Sequence, residues 1–416
     1  MKQHLSAVLT LATAFICVSG ASEAGSILIH DAQVHSMTAS GSFEHADILI
    51  RDGVIQAMGM ELPIEEETVV IDAKGLPVTP AFFAGITISG LSEVEMVSSS
   101  NDAAARGLHT GLSHPEFDVT KAYTPFSSVI PITRVEGFGY ALLGAQQGDR
   151  TVAGSSRLVR FDGGFDSFEG KDVLFIDIDG RSAGVDGGSR AAQWMLLEQL
   201  FGELAVADDD LTLMSVAGKR RLKAIQRNGV FVFSTHRAAD IHRTLQFIAK
   251  HELNAVIHGG REAWILAEAI AAAEVPVILN SLDNLPADFD SLGARLDNAT
   301  LLHSAGVQVL FTSYETHNAR KVRQVAGNAV SYGLPYEVAL RAMTATPAEI
   351  FGGRARSIEV GAIADLTLWS GDPLDVTSIA TQVIIDGNLD SMVSRQTLLR
   401  DRYLPRVDDA QRAYIQ

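Results

Sequence analysis

The sequence holds a single cysteine in 416 residues. Cys17 lies in an apolar run from Leu5 to Ser19 that follows Lys2 and precedes the small residues Ser19-Gly20-Ala21 and Ser22-Glu23-Ala24. A short positive start, an apolar core shorter than the ~20 residues of a membrane span and a small-residue exit read as a secretory signal peptide over residues 1–24. Cleavage is expected after Ala21 or Ala24. The context of the cysteine, Ala-Phe-Ile-Cys, lacks the small residues of a lipoprotein cleavage box. Cleavage therefore leaves no cysteine, which excludes disulfides, Cys-ligated zinc and thiol nucleophiles together. Positive charge is also scarce: 33 Lys and Arg against 50 Asp and Glu give a net charge of −17. Such a surface repels phosphate backbones and anionic lipid, so the expected partners include no nucleic acid. No later stretch is apolar and long enough to span a bilayer, so no membrane insertion is expected after cleavage, and the expected location is the periplasm. The glycines form no phosphate-binding loop.

What is present is a change of rhythm along the chain. Residues 26–80 read as short strands: Ser26-Ile-Leu-Ile-His30, Ala46-Asp-Ile-Leu-Ile-Arg51, a hairpin turn at Asp52-Gly53, Val54–Met58 and Val69–Asp72. Ala364–Trp369 and Gln382–Asp386 have the same character, so one sheet is expected from both chain ends. Between them, fully apolar runs alternate with helical patterns: Gly139–Leu143, Asp172–Ile176, Val230–Phe233, Ala255–Ile257, Val275–Leu279 and Val307–Phe311. Runs that are apolar throughout suit parallel strands covered on both faces. The helices expected between them are Ala238–Lys250, Arg261–Ala273 and Asn318–Tyr332. The interval suits a barrel of roughly 250 residues. The fold class is therefore α/β, a (β/α)₈ TIM-type barrel over residues 80–356. A small β-sandwich-like domain is expected from residues 25–79 and 357–416.

Specific strings then carry a resemblance. Lys74-Gly-Leu-Pro-Val-Thr-Pro80-Ala-Phe82 resembles the entry to the first barrel strand of metal-dependent amidohydrolases, the imidazolonepropionase-like, exported branch. Ala326-Gly-Asn-Ala329, Ala339–Ala348 with Gly352, and Glu359–Asp365 followed by Trp369-Ser-Gly-Asp-Pro373 resemble its later segments, in order. The resemblance implies hydrolysis of carbon–nitrogen bonds other than peptide bonds in small molecules, cyclic amides for example. It also implies one or two divalent metals held by a His-x-His pair, two further histidines and an aspartate, where a metal-bound water attacks the scissile carbonyl.

On those positions the sequence departs. Ile86 and Ile88 stand where the His-x-His pair belongs, Ala84 where an aspartate is common, and Ser234 at the fifth-strand ligand. His258 matches the sixth-strand histidine, as a metal ligand or as a hydrogen bonder lining the pocket. His236 reads either as a cap of the following helix or as a binding residue. Glu315, in place of the eighth-strand aspartate, is the candidate catalytic carboxylate or a solvated loop charge, and His317 is a candidate binding residue beside it. Lys171 precedes its strand rather than ending it and is a poor match to a strand-four lysine. Asp177 and Asp179 read as an exposed turn entry or a carboxylate pair for acid–base work. Ser155-Ser156 reads as a Gly/Ala turn without an elbow. The expected cofactor is none, or at most one divalent metal, zinc suiting imidazole and carboxylate donors best. Two functions follow: a hydrolase with one metal, or a catalytically silent paralogue that binds a small-molecule ligand or scaffolds an active amidohydrolase as a homo- or hetero-oligomer.

Overall fold

The computed structural model describes residues 25–409, apart from 95, 108–111, 149, 181–185, 187, 284 and 314–315. The expected signal peptide lies outside the described residues. Among those described, no helix is long and apolar enough to cross a membrane.

Both chain ends build one eight-stranded sheet. Its N-terminal strands are β1 (Ile27–His35), β2 (Ser42–Arg51), β3 (Val54–Gly59), β4 (Val69–Asp72) and β5 (Pro77–Pro80). After the barrel strands β6–β13 described below, β14 (Leu366–Trp369), β15 (Ala380–Ile385) and β16 (Asn388–Leu389) complete it. The order is β16-β15-β14-β5-β1-β2-β3, with β4 beside β1. Asp52-Gly53, both at positive φ, turns β2 into β3 as the sequence predicts. Strand β1 pairs in parallel with β4 through Ile27–His30 and with β5 through Gln33–Val34. The change of partner falls at Asp31, whose φ of 53° marks a bulge. Ile29, Val34, Ile48, Ile50, Val78, Leu366 and Ile384, drawn from both chain ends, share one apolar cluster.

The second sheet is a nearly closed barrel of eight strands: β6 (Phe82–Thr87), β7 (Phe138–Leu143), β8 (Val152–Arg160), β9 (Phe168–Asp177), β10 (Val230–Thr235), β11 (Ala255–Gly259), β12 (Val277–Leu279) and β13 (Val309–Phe311). From β9 to β13 the neighbours are parallel, and helices such as Val216–Asn228 and Ala238–His251 make the crossovers. The barrel of the sequence reading is present, but its strand–helix repeat breaks at β8, which runs antiparallel to β7 and β9. Ser155 and Ser156 lie inside β8 rather than in a turn, fully buried, and Ser156 Oγ donates to the Leu143 carbonyl at 2.5 Å. The later expected helices begin as 3₁₀ turns, at Ala263–Leu266 and Thr316–Lys321, before becoming α-helical.

No ladder joins β6 to β13 among the described residues; a side chain bridges them. Thr312 Oγ1 accepts from the Ile86 amide at 3.0 Å. A Cβ on Gly85 would sit 2.6 Å from that oxygen, so only glycine lets the strands approach this closely.

Buried charges fasten the β-domain to the barrel. Arg356, 3% exposed, pairs with Asp365 of the terminal sheet and, at 2.7 Å, with Glu169 of β9. Arg160 reaches Asp386 at 2.5 Å, and Arg354 bonds both Asp386 and Glu169. The Arg356 guanidinium also lies 4.3 Å from the centre of the Tyr140 ring.

Candidate functional site

A cavity of about 430 Å³ opens where the parallel strands end. Strand register sets its floor: Asp177 of β9, Ser234 of β10 and His258 of β11 are successive partners across the sheet. Strand pleat sends Asp177 and Asp179 to one side, while Ile178 between them is fully buried. Both aspartates line the cavity and are only partly exposed, which corrects their reading as an open turn. The useful signal was the alternation itself at the end of an apolar run.

His258 Nδ1 lies 3.1 Å from Ser234 Oγ, so the serine that replaces a strand-five ligand serves as a hydrogen-bond partner for the strand-six histidine. His236 lines the cavity from just beyond β10 and is 6% exposed. Its Nδ1 has no hydrogen-bond partner among the described residues. Its ring lies over Gly259, where a Cβ would come within 2.2 Å of Cε1 and 2.4 Å of Nδ1; Gly259 has a φ of 93°. The Gly259-Gly260 pair is thus the sequence signal for a ring seated on bare backbone. Burial, reinforced by the charge of Arg261, pushes His258 down to about 4 and His236 down to about 3. Both imidazoles are neutral at pH 7.

On the β6 side of the mouth two isoleucines flank Thr87. Ile86 and Ile88 line the cavity at the positions where the resemblance calls for imidazoles. Thr316 Oγ1 accepts from the Ile88 amide at 3.2 Å. Gln146 and Gln147, which the sequence reading did not single out, add two amides to the lining, and Gln147 Nε2 has no partner among the described residues. Around the rim, Arg237 grips Asp240 through two bonds of 2.7 and 2.9 Å. Arg190 pairs with Asp240 and Asp290, and Arg261 with Asp283 and Asp288.

Of the remaining candidates, Glu315 lies outside the described residues. His317 is exposed on the 3₁₀ turn and is not part of the lining, whereas its neighbour Thr316 is. Lys171 sits mid-strand in β9, its stem against Gly352.

A paired centre needs several lone pairs converging on one point, with charge to balance the cation. Aliphatic carbon at Ile86 and Ile88 supplies none, and no group of three or more His, Cys, Asp or Glu that could hold a metal occurs among the described residues.

Comparison with known proteins agrees with the architecture. The model of the amidohydrolase family matches residues 217–394. An amidohydrolase of Hapsidospora irregularis (tasK) is 37% identical over 90 residues, which is 21% of this chain and only 9% of that protein. The solved amidohydrolase of Thermotoga maritima MSB8 superposes with a TM-score of 0.77 at 21% identity, covering 87% of this chain and 99% of its own. Molinate hydrolase superposes with a TM-score of 0.53 at 14% identity, covering 94% and 99%. Likenesses at such identities speak for the fold alone. The model of the amidohydrolase family thus matches less than half of the chain, and the solved amidohydrolase shares its fold.

Proposed function

We propose that the barrel mouth binds a small molecule bearing an amide-type carbon–nitrogen bond, the bond class of the superfamily, and that the paired-metal route of hydrolysis is closed to it. One observation carries this reading: Ile86 and Ile88 line the cavity where a dication would need electron pairs. Apolar side chains there would leave a charged metal poorly solvated. The cavity persists none the less, with polar groups from β9, β10, β11 and the segment after β7 converging on it, as ligand sites do. The chain then serves as a silent, ligand-binding or scaffolding paralogue. Export through residues 1–24 to the periplasm belongs to the same proposal, supported by the composition of that segment.

Hydrolysis with one divalent ion is a second reading. It is favoured by two neutral imidazoles beside one cavity, one of them with an unpartnered Nδ1.

Purification without chelators, followed by quantification of zinc, manganese and iron and assays on cyclic amides and dipeptide-like amides, separates the two. Far less than one metal per chain, no turnover, and a raised melting midpoint with a cyclic amide support the first. About one metal per chain, lost together with turnover in His258→Ala, supports the second and overturns the first.

A further inference from the structure

We propose that Gln146 reads the ligand of the barrel mouth: its side-chain amide donates to a neutral carbonyl oxygen, and Asn101 fixes that amide in the orientation that makes it a donor. This rests on the reading of the mouth as a small-molecule site and adds the residue that recognises the ligand's oxygen.

A chain of hydrogen bonds sets the orientation. The Ala103 amide donates to Asn101 Oδ1 at 2.9 Å, so the other end of that side chain is its Nδ2 donor. Asn101 Nδ2 in turn donates to Gln146 Oε1 at 3.1 Å. Oxygen and nitrogen of a side-chain amide are told apart by such a network, and a backbone N–H at its head leaves one assignment. With its oxygen held, Gln146 has its Nε2 hydrogens left to offer. No group takes them among the described residues, and the residue lines the cavity of about 430 Å³. Unlike Nε2 of Gln147, this nitrogen is not enclosed by protein atoms.

The backbone holds this donor in place. The Gln146 amide donates to the Ala103 carbonyl at 2.8 Å, and the Gly144 amide to the Thr87 carbonyl at 2.9 Å. Main chain and side chain of Gln146 are thus both tied to the Asn101–Ala103 segment, and a donor fixed before binding loses little freedom on binding. The same segment abuts an apolar part of the lining: a Cβ on Gly144 would lie 2.9 Å from Ile86 Cγ2. A hydrogen-bond donor beside aliphatic surface suits the oxygen of a neutral amide on an apolar ring. No lysine or arginine among the described residues lines the cavity, so a carboxylate would find no counter-charge there.

The test uses the full chain in titration calorimetry with 2-piperidone, 2-piperidinethione and 2-iminopiperidine, rings of one size that carry an oxygen, a sulfur and a protonated nitrogen at the same place. On the unmodified chain the thione is expected to bind roughly fivefold more weakly than the lactam, because sulfur is a weak acceptor. Gln146→Met removes the donor and should weaken 2-piperidone roughly tenfold. Asn101→Asp puts an oxygen where Nδ2 stood, so the Gln146 amide turns to donate to it and shows its own oxygen to the cavity. That variant should weaken 2-piperidone roughly tenfold and tighten 2-iminopiperidine, whereas a merely structural loss would weaken both. A thione that binds the unmodified chain as well as the lactam does overturns the assignment of Gln146 and leaves the binding reading standing. Unchanged 2-piperidone affinity in variants that melt as the unmodified chain does has the same consequence. Binding of no probe by the unmodified chain overturns both.

Discussion

Replacing Gly259 by alanine tests how the mouth holds His236. The new methyl carbon would sit 2.2 Å from Cε1 and 2.4 Å from Nδ1 of the imidazole, closer than carbon and ring atoms can approach, so the ring must leave its seat. Two costs combine. A non-glycine residue at a φ of 93° is strained by about 1–3 kcal/mol. Overpacking a well-filled site adds typically about 1–3 kcal/mol. Gly306 separates them, because it has nearly the same φ, 94°, with nothing within 4 Å of an added Cβ. Gly306→Ala should therefore show the backbone cost alone, and Gly259→Ala the backbone cost plus the collision. Urea denaturation of both variants, with unchanged slopes, gives the difference directly from the midpoints. Equal losses of stability would refute the seating of His236 on Gly259.

Two more predictions concern charge. The folded-state pKa values of His236 and His258, about 3 and about 4, lie below the ordinary 6.5, so the unfolded chain binds more protons as pH falls. Their contribution is complete above pH 6.5 and declines below it, by up to about 1.4 kcal/mol per pH unit for each histidine, until the folded pKa is reached. Urea midpoints at pH 7.5 and pH 5 should show this fall and His258→Gln should lessen it; an equal fall in the variant argues against the assignment. Separately, Arg356→Met strips Asp365 and Glu169 of a buried partner and should cost about 3–5 kcal/mol, read by chemical denaturation, whereas Arg400→Ala on the surface should change nothing measurable.

Much of this architecture could be read from the chain because burial on both faces writes an apolar run. Val230–Phe233, Ala255–Ile257 and Val307–Phe311 all fall in or against barrel strands. Strand β8 escaped because Gly154, Ser155 and Ser156 interrupt its apolar pattern. Their polar groups are satisfied inside the fold, where Ser155 Oγ accepts from Arg221 at 3.2 Å. Local sequence cannot announce a partner 66 residues away. The same limit hid Asp177 and Asp179: the alternation was visible, but only the register with Ser234 and His258 brings them to the cavity. Ile86 and Ile88 were legible as substitutions against a family pattern, and their place in the lining follows from β6.

The pairing of β5 with β14 has a consequence for biogenesis. Val78 and Pro80 emerge from the ribosome long before their partners Leu368 and Leu366, and the whole barrel is translated in between. Until then the β5 edge of the N-terminal sheet stays open to any extended segment that reaches it. Completing that edge is a late, long-range step, so nascent or truncated chains that stop short of residue 366 should be the aggregation-prone species.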